Sequence, residues 1–526
     1  MTYFDKIITL AELARVQARR FSDVKALRFR DKTLTYSQLH TQSNCVANAL
    51  LAQGIKAQSR VALLAKDSLK SFEILFACSK INAVMVPINW RLAAPEVCHI
   101  LTDANVEVLF VGPEFYKLVK SIENQLDGIK CIIALEKNEQ EWLNYDNLCQ
   151  HYNDVDPNIP VESNDVAVQI YTSGTTGKPK GVQLAHKSFF AIFKEIAKQG
   201  ETWINWNERD RSLLTLPLFH VGGLWWGIYG LIFGAENILL ASFIASDVLE
   251  TIEKYKITKV SMVPAMMQIL LAEPGCDQTD FSSLQYIVYG GAPISQSLLK
   301  EARDTFSCNF VQVYGLTETG AIAVTLSADD HNCASLHKLK SAGKPFPGVS
   351  LAIVNHEGET LPSGQVGEIC IKSLTNMIGY WKLPETTAKT LIDGWVHTGD
   401  AGYLDEEGYL YLCDRVKDMV CYAGENVYPA EIENILYEHP AVAEVAVIGV
   451  PDPRWGEAVK AVIVPKPGMS LTARDAIDFT RGKLADFKIP KSVEFAESLP
   501  RTPSGKVQKD KLREKYCQSN KMLVKA

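Results

Sequence analysis

Residues 171–182 read YTSGTTGKPKGV, a run of small residues between an apolar segment and a basic one. The apolar and β-branched residues at 166–171 predict a short buried strand that leads into the run. The loop after it holds only glycine and hydroxylated residues, so its backbone N–H groups can turn inward and contact polyphosphate oxygens. A flexible linker is the alternative, but linkers are rarely entered from an apolar strand and left by Lys-Pro-Lys-Gly-Val.

The sequence therefore predicts a phosphate-binding loop. Its spacing is not that of a Walker A loop, because the four intervening residues and the Ser/Thr after the lysine are missing. The predicted phosphate-binding residues are Thr172, Ser173, Gly174, Thr175, Thr176, Gly177 and Lys180.

The size and charge of the chain limit the classes of protein it can belong to. A chain of 526 residues exceeds a single hydrophobic core and should form at least two domains. The hydrophobic fraction of 47% and the charged fraction of 22% are those of an ordinary globular protein. The net charge of −7 argues against a large nucleic-acid-binding surface, which needs an excess of basic residues.

Cysteine and histidine spacing gives no local metal motif. The twelve cysteines include no C-x-x-C pair, and the ten histidines form no cluster with ligand spacing. This pattern argues against a zinc site and fits free thiols in a reducing compartment. Residues 1–21 carry charges throughout and lack the apolar core of a signal peptide, so we expect a cytoplasmic protein.

One segment is long enough to span a membrane. Residues 212–235 contain no charged side chain, but they do contain Pro217, His220 and five glycines. We expect a buried strand, a turn and a core helix here, and a membrane span is the alternative.

The N-terminal half alternates between predicted strands and helices. Short apolar runs at 61–64, 83–88, 106–111 and 131–135 predict strands, with helical periodicity at 8–20 and 68–80 between or before them. This alternation predicts an α/β sheet with helices on both faces.

Six motifs in order along the chain, beginning with the loop at 171–182, resemble those of the adenylate-forming (AMP-binding) enzymes. This family contains acyl-CoA synthetases, amino-acid-adenylating domains and firefly-type luciferases. The resemblance covers the whole chain and is closest to the fatty-acid–CoA ligase branch. It implies a large N-terminal domain of wound α/β sheets at residues 1–414. It also implies a small mobile α+β domain at 415–526, with a hinge at about 415–418.

The resemblance implies a nucleotide site built from the loop at 171–182 and further motifs. In the motif QVYGLTETG at 312–320, Tyr314 would offer an aromatic face to adenine, Thr317 a hydroxyl to the α-phosphate and Glu318 a carboxylate to Mg²⁺. Magnesium held mostly by phosphates needs only one or two carboxylates. The remaining implied ATP or AMP contacts are Gly291, Ala292 and Pro293 in a turn, Gly315, Asp400 in a Thr-Gly-Asp turn, and Arg415.

The acyl pocket is also implied by resemblance. The residues directly after His220, 221–226, include no carboxylate. A substrate ammonium would therefore be buried without a partner, and an amino acid substrate is disfavoured. The implied lining residues are His220, Val221, Gly222, Met262, Gly291, Val313 and Gly320. Glycines and the absence of charge favour a medium- to long-chain fatty acid. Trp225 and Trp226 would favour an aryl or short branched acid if they entered the pocket, although packing in the core is the role we expect of them.

The C-terminal motifs complete the implied machinery. Gly424 matches a glycine of the tunnel for the CoA thiol, although Ala423 stands where the family usually has another glycine. Lys417 matches the hinge position, and Lys506 matches the lysine that enters the site during adenylation. The implied catalytic residues are Lys506, Glu318, Thr317 and His220.

The expected activity is an acid–thiol ligase reaction of fatty acid metabolism that uses ATP, Mg²⁺ and CoA and passes through an acyl-AMP. The alternatives are an adenylating enzyme that loads a separate carrier protein, a luciferase-type monooxygenase, and a ligand sensor without turnover. The expected partners are small molecules, with no nucleic acid and at most peripheral contact with a membrane. The oligomeric state stays open, and a homodimer is compatible with the sequence.

Overall fold

The computed structural model describes residues 7–137, 141–172, 179–200, 203–333, 337–415, 418–422, 425–501 and 507–523. Up to residue 415, the strands and helices follow one another as β and α elements with these bounds: α1 (Leu10–Arg20), β1 (Lys25–Phe29), β2 (Lys32–Thr35), α2 (Tyr36–Ala52), β3 (Arg60–Leu64), α3 (Leu69–Lys80), β4 (Val84–Pro87), α4 (Ala94–Asp103), β5 (Val106–Val111), α5 (Tyr116–Ile122), β6 (Cys131–Ala134), β7 (Leu143–Asn144), α6 (Tyr145–His151), β8 (Val166–Thr172), β9 (Lys180–Ala185), α7 (Ala191–Lys198), β10 (Arg211–Leu214), α8 (Val221–Ile232), β11 (Glu236–Leu239), α9 (Ala245–Tyr255), β12 (Lys259–Met262), α10 (Pro264–Ala272), β13 (Tyr286–Gly290), α11 (Gln296–Phe306), β14 (Asn309–Tyr314), β15 (Val324–Leu326), α12 (Ala328–Asn332), β16 (Lys344–Pro345), β17 (Ser350–Val354), β18 (Gly367–Lys372), β19 (Gly379–Tyr380), α13 (Pro384–Thr390), β20 (Leu391–Ile392), β21 (Trp395–Leu404) and β22 (Leu410–Arg415).

The elements after residue 415 form a smaller unit. They are β23 (Val420–Tyr422), β24 (Glu425–Val427), α14 (Pro429–Tyr437), β25 (Val442–Asp452), β26 (Gly456–Pro465), α15 (Ala473–Thr480), β27 (Ser492–Phe495) and α16 (Lys509–Leu523).

Two large sheets form the N-terminal part of the molecule. In the described residues, one sheet has the order β16-β15-β14-β13-β12-β10-β11-β1-β2 and the other has the order β19-β9-β8-β4-β3-β5-β6-β7. Both are parallel in their centres, for example between β12, β13 and β14, and antiparallel at edges such as β8–β9. Parallel strands need crossover connections, and the helices between successive strands supply them.

Helices cover both faces of these sheets, as the alternating sequence pattern predicts. On β13, Val288 packs into the core shared with α1, α2, α3 and α8, whereas Ile287 and Tyr289 pack against α9, α10 and α11 on the other face. Successive strand residues point to opposite faces, so one strand serves two cores. The predicted fold class is therefore confirmed.

Two smaller sheets follow. The first joins β17-β18-β21-β20, with β22 on β21; the second joins β24-β23-β26-β25, with β27 on β26. Helices α14 and α15 contribute to the apolar cluster on one face of the last sheet, and Leu512 of α16 packs with Ile448 on the other. The boundary predicted at 414/415 remains a prediction.

The uncharged segment 212–235 forms β10, a turn and α8, as expected. Ten of the twelve residues of α8 are buried, including Trp225 and Trp226, which explains why the segment lacks charge. None of the helices in the described ranges has the length and apolar character needed to cross a membrane.

Candidate functional site

The predicted phosphate-binding loop connects β8 and β9. These strands pair antiparallel, with Thr172 opposite Lys180 at the loop end of the hairpin. The predicted contacts Ser173, Gly174, Thr175, Thr176 and Gly177 lie outside the described residues. The hairpin therefore brings the two described ends of the loop, Thr172 and Lys180, together.

Glu318 lies beside this hairpin. It belongs to a single 3₁₀ turn, Thr317–Thr319, directly after β14, and its Oε1 accepts a hydrogen bond of 2.8 Å from the Tyr380 hydroxyl. Tyr380 is on β19, which pairs with β9, and the Lys180 Nζ lies 5.1 Å from the centre of its ring. Lys180, Tyr380 and Glu318 thus lie together, and no sequence pattern singles out Tyr380.

Glycines keep this turn tight. Gly320 has φ of +76°, and a Cβ there would lie 2.6 Å from the Thr375 carbonyl oxygen. A Cβ on Gly315 would lie 2.4 Å from the Ala321 carbonyl oxygen. Side chains at these two positions would push the turn apart, so the glycines are required by packing around Glu318.

Tyr314 and Asp400, predicted to contact the two ends of the adenosine, are in direct contact. Tyr314 ends β14 and donates a 2.7 Å hydrogen bond to Asp400 Oδ2. Both side chains are mostly buried, at 9% and 8% exposure. The hydrogen bond fixes the carboxylate without neutralising it, so Asp400 keeps the acceptor oxygens that ribose hydroxyls require.

Asp400 lies in a bulged strand, which corrects the simple turn that the sequence suggested. Glu368 pairs with Ala401 and Cys370 with His397, so three residues of β21 lie opposite one residue of β18. The extra residues are accommodated at Gly399, which has φ of +68°. Such bulges re-aim side chains near functional sites.

Two side chains that the sequence did not single out hold this bulge. The Gly399 N–H donates to Glu368 Oε1 at 2.9 Å. Thr398 Oγ1 donates to the Ile369 carbonyl oxygen at 2.7 Å and accepts from the Asp400 N–H at 3.1 Å. Backbone groups displaced from the strand ladder are thereby satisfied. We define Tyr314, Glu318, Tyr380 and Asp400 as the nucleotide wall.

The turn predicted to hold adenine follows β13. Gly291 has φ of +77°, and Gly291, Ala292 and Pro293 are exposed. The neighbouring Gly290 is packed so closely on β14 that a Cβ would lie 2.3 Å from the Val313 carbonyl oxygen. The turn therefore presents bare backbone beside the strand that carries Tyr314.

The predicted acyl-pocket residues occupy the carboxyl ends of strands and the start of α8. His220 is the N-cap residue of α8 and lies against Phe219, with ring centres 4.4 Å apart. Val221 and Gly222 begin the helix, and Val313 is half-buried on β14. Met262, at 1% exposure, packs in the core between the sheet and α10.

Asp67 anchors the loop before His220. Its Oδ2 accepts a 3.1 Å hydrogen bond from the Leu218 N–H. Burial raises the pKa of the Asp67 carboxyl to about 7, and neither the Leu218 N–H nor nearby Arg91 offsets this fully. Local sequence patterns do not indicate this contact, because 151 residues separate the partners.

The C-terminal residues that the resemblance singles out lie mostly outside the described residues. Lys417, Gly424 and Lys506 are among the residues not described, and of Arg415 only the backbone is described, paired with Asp400 across β21 and β22. This register places the backbone of Arg415 opposite that of Asp400, the residue predicted to bind ribose.

Charged side chains connect α16 to the end of β22. Lys509 Nζ lies 2.9 Å from Glu433 Oε1 and 3.6 Å from Asp414 Oδ2, and Arg513 Nη2 lies 2.8 Å from Asp418 Oδ1. Burial acts to lower the pKa of Lys509, but Glu433 and Asp414 together raise it above its ordinary value. We name these five residues the ionic junction.

A fold of two wound sheets with a smaller unit, and a site that combines a phosphate hairpin with carboxylates and an aromatic ring, define a nucleotide-binding adenylate-forming enzyme. Residues 14–381 match the family described as AMP-binding enzyme, and residues 431–506 match the AMP-binding enzyme C-terminal domain. The chain belongs to this family, within its acyl- and aryl-CoA ligase branch of acid–thiol ligases that form AMP.

Named relatives differ in their acids and acceptors. The chain is 45% identical to the fatty acid–[acyl-carrier-protein] ligase ScoC of Streptomyces coeruleorubidus, over 97% of this chain and 96% of that protein. It is 39% identical to the indoleacetate–CoA ligase of Aromatoleum aromaticum, over 93% and 94%. The crystal structure of the anthranilate CoA ligase AuaEII with anthranoyl-AMP superposes with a TM-score of 0.88 at 29% identity, covering 99% of this chain and 100% of that one.

Proposed function

We propose that this protein activates a medium- to long-chain fatty acid with ATP and transfers the acyl group to the thiol of CoA. In the first step a carboxylate oxygen of the acid bonds to the α-phosphorus of ATP, and pyrophosphate leaves. In the second step the thiol sulfur bonds to the acyl carbon, AMP leaves and the thiol proton passes to solvent. A carboxylate is a poor electrophile, and the AMP leaving group divides one difficult reaction into two accessible ones.

The observation that carries this proposal is the nucleotide wall beside the phosphate hairpin. Lys180 and Glu318 are linked through Tyr380, and Asp400 is fixed by Tyr314. These groups offer a cation for phosphate, a carboxylate for a metal ion and a carboxylate for ribose. Preorganised charges of this kind stabilise the charge that develops during phosphoryl transfer.

Glu318 fits the role of a magnesium ligand. Its carboxylate is half-buried, uses one oxygen for the Tyr380 hydroxyl and lies near Lys180 at the phosphate hairpin. Mg²⁺ prefers hard oxygen ligands shared between a carboxylate and nucleotide phosphates. Bound there with ATP, the ion would neutralise phosphate charge, while Tyr380 keeps the Glu318 side chain oriented.

Three further roles rest on the family resemblance. Thr317 would contact the α-phosphate, and His220 would border the acyl carboxylate. Lys506 would enter the site for adenylation and withdraw when the C-terminal domain turns about Lys417, bringing Gly424 to the thiol tunnel. Accordingly, Lys506→Ala should cripple acyl-AMP formation and spare thioester formation from preformed acyl-AMP. An equal loss of both steps would contradict this division of roles.

The choice of a fatty acid is supported by the burial of the two tryptophans that would shorten the pocket. Trp225 and Trp226 are 4% and 1% exposed, and both pack against other aromatic rings of the core. The relative that is 45% identical is itself named for a fatty acid. Two other relatives are named for aryl acids, so the alternative acid class is an aryl carboxylate.

A carrier protein is the alternative acceptor, because the same 45% identical relative is named as a ligase of acyl carrier protein.

The deciding experiment measures AMP release with ATP, Mg²⁺ and straight-chain, branched and aryl acids, each with and without CoA. AMP release that requires both a straight-chain acid and CoA supports the proposal. Acid-dependent pyrophosphate exchange that CoA does not convert to thioester supports the carrier-protein acceptor instead.

A further inference from the structure

Glu368, Cys370 and His397 converge on one point beside the bulge of β21. Cys370 and His397 are direct partners across β18 and β21. His397 Nδ1 lies 2.9 Å from Glu368 Oε2 and 3.4 Å from Cys370 Sγ, and the three ligand atoms all lie within 4.8 Å of one another. No other group of this kind occurs in the described ranges. The spacing of 27 residues between Cys370 and His397 hides this cluster from a search for local metal motifs.

Two ordinary structural roles explain part of this arrangement. The first is an ion pair between His397 and Glu368, and the second is a cysteine that is buried in a core without binding a metal. Neither explanation accounts for the thiol and the carboxylate approaching the same imidazole nitrogen. Nδ1 has one direction for hydrogen bonding, so it cannot serve both neighbours well at once. An ion placed between the three atoms would satisfy all of them.

We propose that Glu368, Cys370 and His397 form a Zn²⁺ site with the fourth position open to water. Nitrogen, sulfur and oxygen donors together suit Zn²⁺, with bonds of roughly 2.0–2.3 Å in tetrahedral geometry. Those bond lengths require about 3.5 Å between sulfur and nitrogen and about 3.3 Å between nitrogen and oxygen. The observed 3.4 and 2.9 Å are close to these values, with Glu368 needing the larger shift.

The site discriminates between zinc and magnesium. Cysteine ligates a metal as the thiolate, so a bound ion must displace the thiol proton to water, which thiophilic Zn²⁺ can do and hard Mg²⁺ cannot. Assays with Mg²⁺ alone would leave the site empty of metal.

Zinc at this site is coupled to Asp400. The carboxylate of Glu368 that would ligate zinc through Oε2 also holds the Gly399 N–H through Oε1. Moving Glu368 away from His397 by a few tenths of an ångström disturbs the bulge that aims Asp400. Zinc should then weaken ATP binding. This consequence rests on the proposed role of Asp400, whereas the binding of zinc is independent of that role.

Binding is tested directly by calorimetric titration of the metal-free full-length protein with Zn²⁺, alongside Cys370→Ala and Cys370→Ser. Cys413→Ala is the matched control, because Cys413 is a partly buried thiol on β22, which pairs with the strand of His397, β21. One zinc per chain should bind the native protein and Cys413→Ala, with affinity at least roughly tenfold lower in both Cys370 variants. Equal affinity in Cys370→Ser, or no binding by the native protein, would overturn the site.

Co²⁺ provides a readout that does not depend on any variant folding. Cobalt in the native protein should show a thiolate-to-metal charge-transfer band, and its absence would refute ligation by Cys370.

The coupling to Asp400 is tested by pyrophosphate exchange at a free Zn²⁺ concentration that a chelator buffer holds constant. Zinc should raise the KM for ATP about fivefold in the native protein and leave it unchanged in Cys370→Ser. Zinc binding without this rise in KM would refute the coupling to Asp400. A protein that is inactive but still binds zinc through Cys370 would refute the proposed function and support the zinc site.

Discussion

The nucleotide wall and the ionic junction meet on the same two strands, β21 and β22, but different forces hold them. Asp400 of the wall pairs in register with Arg415, and the next pair is Ala401 with Asp414 of the junction. The wall is fixed by short hydrogen bonds between side chains on strands and on a tight turn. The junction is fixed by opposite charges, which attach a helix of the C-terminal unit to the last strand before it.

The difference shows how each region tolerates movement. A hydrogen bond such as Tyr314–Asp400 is directional and weakens steeply when its geometry changes. An ion pair depends less on angle, and water can replace either partner when the charges become exposed. The wall is therefore suited to holding atoms in place, and the junction to tolerating small shifts of α16 relative to β22.

The largest expected effect is loss of catalysis at the wall. Glu318→Gln removes the negative charge next to Lys180 and should lower the rate of acid-dependent pyrophosphate exchange by about 10²–10³-fold, or about 3–4 kcal/mol. The exposed Glu301 on α11 provides the control, Glu301→Gln, which should retain the native rate. A Glu318→Gln protein with native exchange would remove Glu318 from the site.

The next effect is on stability at the junction. Lys509→Met leaves Glu433 and Asp414 without their shared cation and should reduce the free energy of unfolding by about 3 kcal/mol, because two buried carboxylates then repel each other with no cation between them. Urea unfolding followed by fluorescence measures the change. The exposed neighbour on the same helix, Lys511→Met, should cost less than about 0.5 kcal/mol. Similar values for the two variants would show that the junction contributes no more than surface charge.

A third test extends the comparison to the acyl side, where Asp67 anchors the loop before His220. The pKa of Asp67 is raised from 3.8 to about 7, so between these pH values the folded protein keeps a proton that the unfolded chain has released. The free energy of unfolding therefore falls as pH rises through this range. Asp67→Asn keeps an acceptor for the Leu218 N–H and cannot ionise. Its stability relative to the native protein should increase by about 2 kcal/mol between pH 5 and pH 8.

The control for this test is Asp31→Asn, an exposed position in the turn between β1 and β2. Its stability relative to the native protein should not change between the two pH values. A flat difference for Asp67→Asn as well would mean that the Asp67 carboxylate is well solvated.

The smallest effect isolates one hydrogen bond of the wall. Tyr314→Phe keeps the ring and removes the donor to Asp400, so the KM for ATP should rise about fivefold, equivalent to about 1 kcal/mol. Tyr289→Phe on the adjacent strand loses a hydroxyl that contacts His331 and should leave the KM for ATP unchanged. If both variants raise KM equally, the effect comes from the sheet rather than from Asp400.

Local sequence patterns were sufficient to predict the sheet elements and the backbone of the site. The apolar runs at 61–64 and 106–111 form β3 and β5, and the motif at 312–320 forms a strand and a tight turn that carries Glu318. Such features depend on neighbours within a few residues, which the sequence displays directly.

Contacts between distant segments were not predictable in the same way. Tyr380 reaches Glu318 across 62 residues, and Glu368 reaches Gly399 across 31. The Thr-Gly-Asp segment suggested a turn because turn residues favour that sequence, and only pairing with β18 converts it into a bulge. Tertiary pairing thus decides where a functional carboxylate points, even when its identity is evident.

The aromatic cluster around α8 gives the molecule a built-in optical reporter. Trp203, Trp206, Trp225 and Trp226 are four of the nine tryptophans, and their ring centres are linked through distances of 5.1–6.2 Å, directly or through Tyr229. Excitation energy passes readily among rings this close, so emission collects in one group of indoles. Because α8 begins immediately after His220, the proposed binding of an acid beside that histidine should change the surroundings of this group, so that intrinsic fluorescence would follow its arrival without a label.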